Sequence, residues 1–162
     1  MLRHPKAART VAAFVLALGL LAARPARAQQ QYVYDPRANA RAQIQSALTE
    51  ARQDNKLVLL DFGADWCLDC VILDRLFQDA AVAPYLRDHY HLVRVEIGQF
   101  DHNLEIVRKY GMPIEGGVPA IVVLAPSGQI LVNTRDGSME GARRMNAAMI
   151  RRNLEQWAAL RR

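Results

Sequence analysis

Residues 59–77, LLDFGADWCLDCVILDRLF, hold the chain's only two cysteines, Cys67 and Cys70, and decide how the rest is read. Up to Ala64 the run is almost wholly apolar, the pattern of a strand buried on both faces. From Cys67 onward the period turns helical, with Cys70, Val71, Leu73, Asp74 and Phe77 spread over successive turns. The cysteines therefore stand at a strand-to-helix junction. As a structural staple the pair is poor, because a disulfide across so short a loop removes only about 2 kcal/mol of unfolded-state entropy. As a metal clip it is incomplete: zinc takes four ligands, and nothing in the spacing ties His89, His91 or His102 to the cysteines. As a redox pair it is well placed. A helix starting near Cys67 aims free N–H groups and a positive dipole end at that sulfur, which favours the thiolate. Cys67 then reads as nucleophile and Cys70, one turn on and shielded, as resolver.

Outward from this junction the chain alternates. Before it, residues 37–56 are rich in helix formers, with Ala40, Ile44, Ala47, Leu48 and Ala51 at helical spacing and Asn55 as a stop. Residues 29–36, QQQYVYDP, read as a polar tail with a short strand at Tyr32–Tyr34 and a break at Pro36. After the junction, residues 80–90 continue or re-initiate the helix, with Pro84 tolerated in a first turn. HLVRVEI (91–97) is a strand, and NLEIVRKYG (103–111) a short helix closed by Gly111. VPAIVVLA and QILVNT are strands joined by PSG, a hairpin signal. Residues 138–160 are expected to form one long helix, with Ile150, Leu154 and Trp157 as its buried stripe. A crossover helix makes the first two strands parallel, and the tight hairpin makes the last two antiparallel. The class is α/β: one mixed central sheet with helices on both faces.

The opening residues belong to a different pattern. Residues 1–9 carry Arg3, Lys6 and Arg9, an uncharged apolar run fills 10–23, and Ala26 and Ala28 occupy −3 and −1 of a cut after Ala28. That is the order of a secretory signal peptide; the apolar run is shorter than the roughly 20 residues of a spanning anchor. Removing residues 1–28 takes five basic and no acidic residues from a chain of formal charge +5. The 16 acidic residues then face 16 basic ones in residues 29–162, so a nucleic-acid or anionic-membrane partner loses its motivation. The remaining 134 residues suffice for a single core. Export, to the periplasm or beyond, also places two cysteines where a disulfide persists.

DFGADWCLDC followed about fifty residues later by GGVPAIVVL resembles the thioredoxin superfamily. KLVLLDFGADWCLDC is most like the C-terminal thioredoxin-like domain of DsbD-type periplasmic interchange proteins and like small secreted thioredoxin-like proteins. The resemblance spans roughly residues 37–160 and implies a thioredoxin fold and thiol:disulfide oxidoreductase chemistry without a dissociable cofactor or metal. It implies a cis peptide between Val118 and Pro119 facing the cysteines, at an edge where substrate backbone pairs. Asp61 takes the place of a buried acid that shuttles the Cys70 proton, the plainer reading being a satisfied polar residue at a strand end. Asp74 matches a second acid or is an ordinary exposed helix residue; Trp66 is a substrate-facing or merely packing aromatic. The implied partners are protein thiols and disulfides and an upstream dithiol donor, for which a membrane protein is a candidate.

Three departures qualify the pattern. Leu68 and Asp69 replace the Gly-Pro of thioredoxin, and Asp65, Asp69 and Asp74 bring negative charge towards Cys67. That charge opposes the helix dipole, raises the thiolate's pKa and argues for a reductant rather than a strong oxidant. The loop at 111–117, GMPIEGG, either shapes a substrate groove or is a neutral insertion. Met139, Met145 and Met149 read as filler, and Arg143, Arg144, Arg151 and Arg152 as a solvated face or a dock for an acidic partner. The rival functional class is a thioredoxin-like binding module with little redox turnover, which a Cys67→Ser variant separates from an enzyme.

Overall fold

The computed structural model describes residues 32–161, so the signal peptide expected at residues 1–28 lies outside them. Its elements are α1 (Ala40–Asp54), β1 (Leu57–Gly63), α2 (Leu68–Phe77), α3 (Ala83–His89), β2 (Tyr90–Glu96), α4 (Leu104–Lys109), β3 (Ala120–Leu124), β4 (Ile130–Asn133) and α5 (Ala147–Ala158). Short 3-10 turns at Pro113–Gly116 and Ala142–Arg144 complete the order. The sheet runs β2-β1-β3-β4, with β1 parallel to β2 and antiparallel to β3, and β3 antiparallel to β4. The strand directions are those expected from the connections. Among the described residues, no helix is long and apolar enough to cross a membrane.

The central strand explains the layering. Every residue of β1 is buried, and alternation sends Val58, Leu60 and Phe62 into a core shared with α1 and α4. Leu57 and Leu59 enter a second core with α2, α3 and α5. Asp61 shares their parity and so lies on the face that α2 covers. The ends of the elements follow local chemistry. Asn55 caps α1 in the left-handed conformation, and Gly111 (φ +78°) ends α4. There the Gly111 N–H donates to Arg108 O and the Met112 N–H to Val107 O, the paired bonds of a Schellman motif.

Two expected elements take other forms. Tyr32–Tyr34 is not a strand: the Asp65 carboxylate accepts the Val33 and Tyr34 N–H groups at 3.1 and 2.9 Å, so these donors serve no ladder. Residues 138–160 are not one helix. Gly141 (φ +74°) and the extended backbone at Met145 and Asn146 interrupt it, and the Asn146 side chain accepts the Met149 N–H at 3.0 Å to start α5 afresh.

The 111–117 loop is packed against the turn at 135–140. A Cβ at Gly116 would lie 2.4 Å from Gly137 N and 2.6 Å from Arg135 O, both rigid backbone atoms. Glu115 also pairs with Arg135. The glycine is thus a point of close approach rather than a flexible spacer. Gly116→Ala is expected to lower stability by about 1–3 kcal/mol, read as a lower urea midpoint with an unchanged m-value.

Candidate active site

β1 delivers the chain to the site and α2 carries it away. Cys67 is the N-cap of α2, and its Sγ accepts the Cys70 N–H at 3.2 Å. The two sulfurs are joined in a disulfide, with Cα atoms 5.3 Å apart. Cys67 is 7% exposed and Cys70 fully buried, so only the first sulfur has an edge that a partner can approach. Once reduced, a thiolate at Cys67 faces the free N–H groups of a ten-residue helix, which stabilises the charge. Opposite it the Val118–Pro119 bond is cis, and the Val118 carbonyl oxygen lies 3.6 Å from Cys67 Sγ.

Trp66 is 49% exposed, and its indole Nε1 donates to Gly98 O at 2.7 Å. Its ring tilts against Phe100 at 5.8 Å. With exposed Leu68 and Phe100 it forms an apolar rim near Cys67. Phe100 escaped the sequence reading, since a lone aromatic in a loop carries no periodic signal.

The aspartates are arranged differently from the sequence expectation. Asp69 is buried under Arg143, which donates from its backbone N (2.8 Å), Nε (3.1 Å) and Nη2 (2.6 Å). Burial pushes the Asp69 carboxyl up, but the bonds from Arg143 outweigh it and hold the carboxyl below its ordinary range. Arg143 is exposed, as expected, and it also serves as the counter-ion of Asp69 at the active helix. Asp74 is not an exposed helix residue. It is buried, accepting from Arg94 Nε at 2.8 Å and from Gln78 at 2.5 Å. Asp65 is exposed and spends its oxygen on the Val33 and Tyr34 N–H groups. The charge near Cys67 is thus largely compensated, and the argument for a raised thiolate pKa loses its basis.

Of the buried aspartates, Asp61 alone lacks a counter-ion in contact among the described residues. It is completely buried, and its Oδ2 accepts the Tyr34 hydroxyl at 2.7 Å. Its Oδ1 is buried with no hydrogen-bond partner among the described residues. Burial drives the carboxyl up to about 7, against the opposing pull of the Tyr34 hydrogen bond and of Arg94, with Asp74 adding to the rise. Arg94 is the cross-strand neighbour of Asp61 on β2. Tyr34 was missed because the segment that bears it reads as a tail.

Fold and site together define a thioredoxin-like domain whose two cysteines are placed for thiol:disulfide exchange. A family profile described as thioredoxin-like matches residues 39–126, and the chain belongs to that family. It is 38% identical over 89 residues to the thiol:disulfide interchange protein DsbD 1 of Pseudomonas aeruginosa, a match spanning 54% of this chain and 14% of that protein. It is 31% identical over 87 residues to a thioredoxin of Buchnera aphidicola, spanning 54% of this chain and 71% of that one. Among solved structures, a disulphide isomerase of Xylella fastidiosa superposes with a TM-score of 0.76 at 34% identity. That match covers 78% of this chain and 96% of the other.

The buried acid has a thermodynamic signature. In the unfolded chain Asp61 ionises near 3.8, whereas in the fold it stays protonated up to about 7. Between these values the folded state binds the extra proton, so its contribution to stability is present at low pH and is lost as pH rises towards 7. Asp61→Asn is expected to flatten that decline in the oxidised protein, checked by urea unfolding at a series of pH values. At Arg143 the sign is electrostatic. Arg143→Ala leaves Asp69 uncompensated beside the helix start, so the Cys67 thiol pKa is expected to rise and the reduction potential to fall. Thiolate absorbance against pH checks the first, and equilibration with glutathione the second.

Proposed function

We propose that this protein is an exported thiol:disulfide exchange protein that acts chiefly as a reductant of protein disulfides. The observation that carries the reading is the Cys67–Cys70 disulfide at the start of α2, with one approachable sulfur facing the Val118 carbonyl. In the reduced enzyme the Cys67 thiolate attacks one sulfur of a substrate disulfide, and the electron pair of the broken bond leaves on the other, which takes up a proton. Cys70 then gives its proton to Asp61 and attacks Cys67 Sγ. This closes the Cys67–Cys70 bond and frees the second substrate sulfur, which is protonated in turn. Two electrons pass from dithiol to substrate, and another dithiol protein restores them. Asp74 acts on this chemistry at one remove, through its charge and its hold on Arg94.

Trp66 and Val118 form the receiving surface for the substrate chain, an exposed aromatic on one side and the backbone carbonyl beside Cys67 on the other, with Pro119 buried behind it. The basic, apolar and small-residue order of residues 1–28 supports export, and the periplasm suits a protein similar to DsbD. Asp61 suits the resolving step as proton acceptor and the reverse step as proton donor, so the reduction potential fixes the direction.

The reduction potential of the mature protein, equilibrated against glutathione, tests the direction. A value well below the glutathione couple is expected; one well above it makes the protein a disulfide donor. Cys67→Ser is expected to abolish disulfide reduction with the fold intact, and Cys70→Ser to accumulate mixed disulfides. A Cys67→Ser protein that retains its full cellular effect sinks the enzymatic reading in favour of a binding module.

A further inference from the structure

Tyr34 stands five residues before the family match begins, in a segment that reads as a tail, and yet it is buried at 1% exposure. Its ring packs with Cys67 and Cys70 in a small cluster bordered by Val33 and Val118. Its hydroxyl donates to Asp61 Oδ2 at 2.7 Å. Tyr34 is thus in contact with both the dithiol and the buried acid. Two features of the chain are shaped around it. A Cβ at Gly63 would fall 2.6 Å from Tyr34 Cζ and 2.7 Å from its oxygen, so the last residue of β1 leaves the ring its space. Asp65, in the loop that leads to Cys67, accepts the N–H groups of Val33 and Tyr34 and ties the segment to the site itself.

We propose that Tyr34 is a positioning residue of the exchange reaction: its hydroxyl holds the Asp61 carboxylate as acceptor for the Cys70 proton. The argument rests on donor and acceptor character. Burial and the neighbouring Asp61 push the Tyr34 phenol well above its ordinary range, so it remains a donor throughout the working pH range. A donor at Oδ2 stabilises the ionised carboxylate and leaves Oδ1, which has no other partner among the described residues, to take the proton. The other groups around Asp61 are Arg94 on β2, which favours the ionised form, and Asp74 on α2, which opposes it. On the β3 side its cross-strand neighbour is apolar Ile121. In the resolving step the Cys70 proton passes to Asp61, the Cys70 thiolate bonds to Cys67 Sγ, and the Cys67–substrate bond breaks with its electron pair on the substrate sulfur.

This inference rests on the exchange chemistry proposed above, and Tyr34→Phe tests it while keeping the ring in place. Two readouts are needed. The carboxyl carbon resonance of Asp61, followed against pH in the oxidised protein, reports the hydrogen bond whether or not the protein turns over. Oxidation of the reduced protein by glutathione disulfide, followed through Trp66 fluorescence, reports the resolving step. In Tyr34→Phe the Asp61 midpoint is expected to move up by about one pH unit, the worth of a hydrogen bond to a charged group. The pH profile of resolution should move with it. In an Asp61→Asn background, adding Tyr34→Phe should leave the resolving rate unchanged. An unmoved Asp61 midpoint, an unshifted profile, or equal slowing by Tyr34→Phe in both backgrounds overturns the proposal and leaves Tyr34 a packing residue. A protein whose Asp61 midpoint moves as expected but which does not exchange with glutathione disulfide instead overturns the functional reading.

Discussion

Ionising a carboxylate takes water or a partner, and on the central strand of a two-sided core Asp61 is sealed from bulk solvent. β1 is buried along its whole length because helices cover both faces of the sheet, so any polar residue in it must be served from within. Much of the site can be read as a response to that one constraint. Tyr34 comes in from a segment 27 residues upstream to give Asp61 a donor. Gly63 gives up a side chain to admit the tyrosine, and Asp65 fixes the segment that brings it. Arg94, alongside on β2, commits its guanidinium to Asp74 and acts on Asp61 only across space. The result is a carboxyl poised near neutrality beneath a helix that begins with the two cysteines.

The second organising feature is charge compensation at the start of α2. An acid between the cysteines looks from the sequence like an obstacle to a thiolate. In the fold Asp69 is saturated by Arg143, and it anchors the 3-10 turn at Ala142–Arg144 over the active helix. The pair therefore has two consequences: it restores the favourable field of the helix end, and it fixes the last part of the chain against the site. Asp74 and Arg94 repeat the arrangement one turn further on. Because Asp69 and Asp74 are buried, removing either arginine leaves a charge stranded, a larger disturbance than loss of an exposed ion pair.

What was legible in the sequence was what repeats or stands close along the chain. The apolar run of β1, the helical period after Cys67 and the hairpin signal at PSG are local, and each appears in the fold. The markers WCLDC and VPAIVVL placed the cysteines and the proline because each needs only its neighbours to be recognised. What escaped depends on distance. Asp69 and Arg143 are 74 residues apart, and Asp74 and Arg94 are 20 apart; no period links them. Residues 138–160 failed differently. Their composition favours a helix throughout, but the side chain of Asn146 offers the backbone a competing partner and restarts the helix there. Tyr34 failed because an extended segment with a tyrosine at every second position looks the same whether it pairs in a sheet or packs against a site.

These long-range contacts matter most for the redox balance of the pair. A disulfide across four residues constrains the unfolded chain by only about 2 kcal/mol, so global folding contributes little to its preference for the oxidised or reduced state. By the usual conversion for a two-electron couple, about 1.4 kcal/mol corresponds to 30 mV, and the chain-entropy contribution spans only a few tens of millivolts. The larger part must come from how well the surroundings hold the reduced form. Those surroundings are the free N–H groups of α2, the Asp69–Arg143 pair, and Tyr34, which packs with the cysteines and donates to Asp61. Two of the three are assembled from segments outside the cysteine motif, Tyr34 from one end of the domain and Arg143 from the other. The motif alone therefore does not determine the potential, and chains that share WCxxC can differ in redox poise while keeping the same fold.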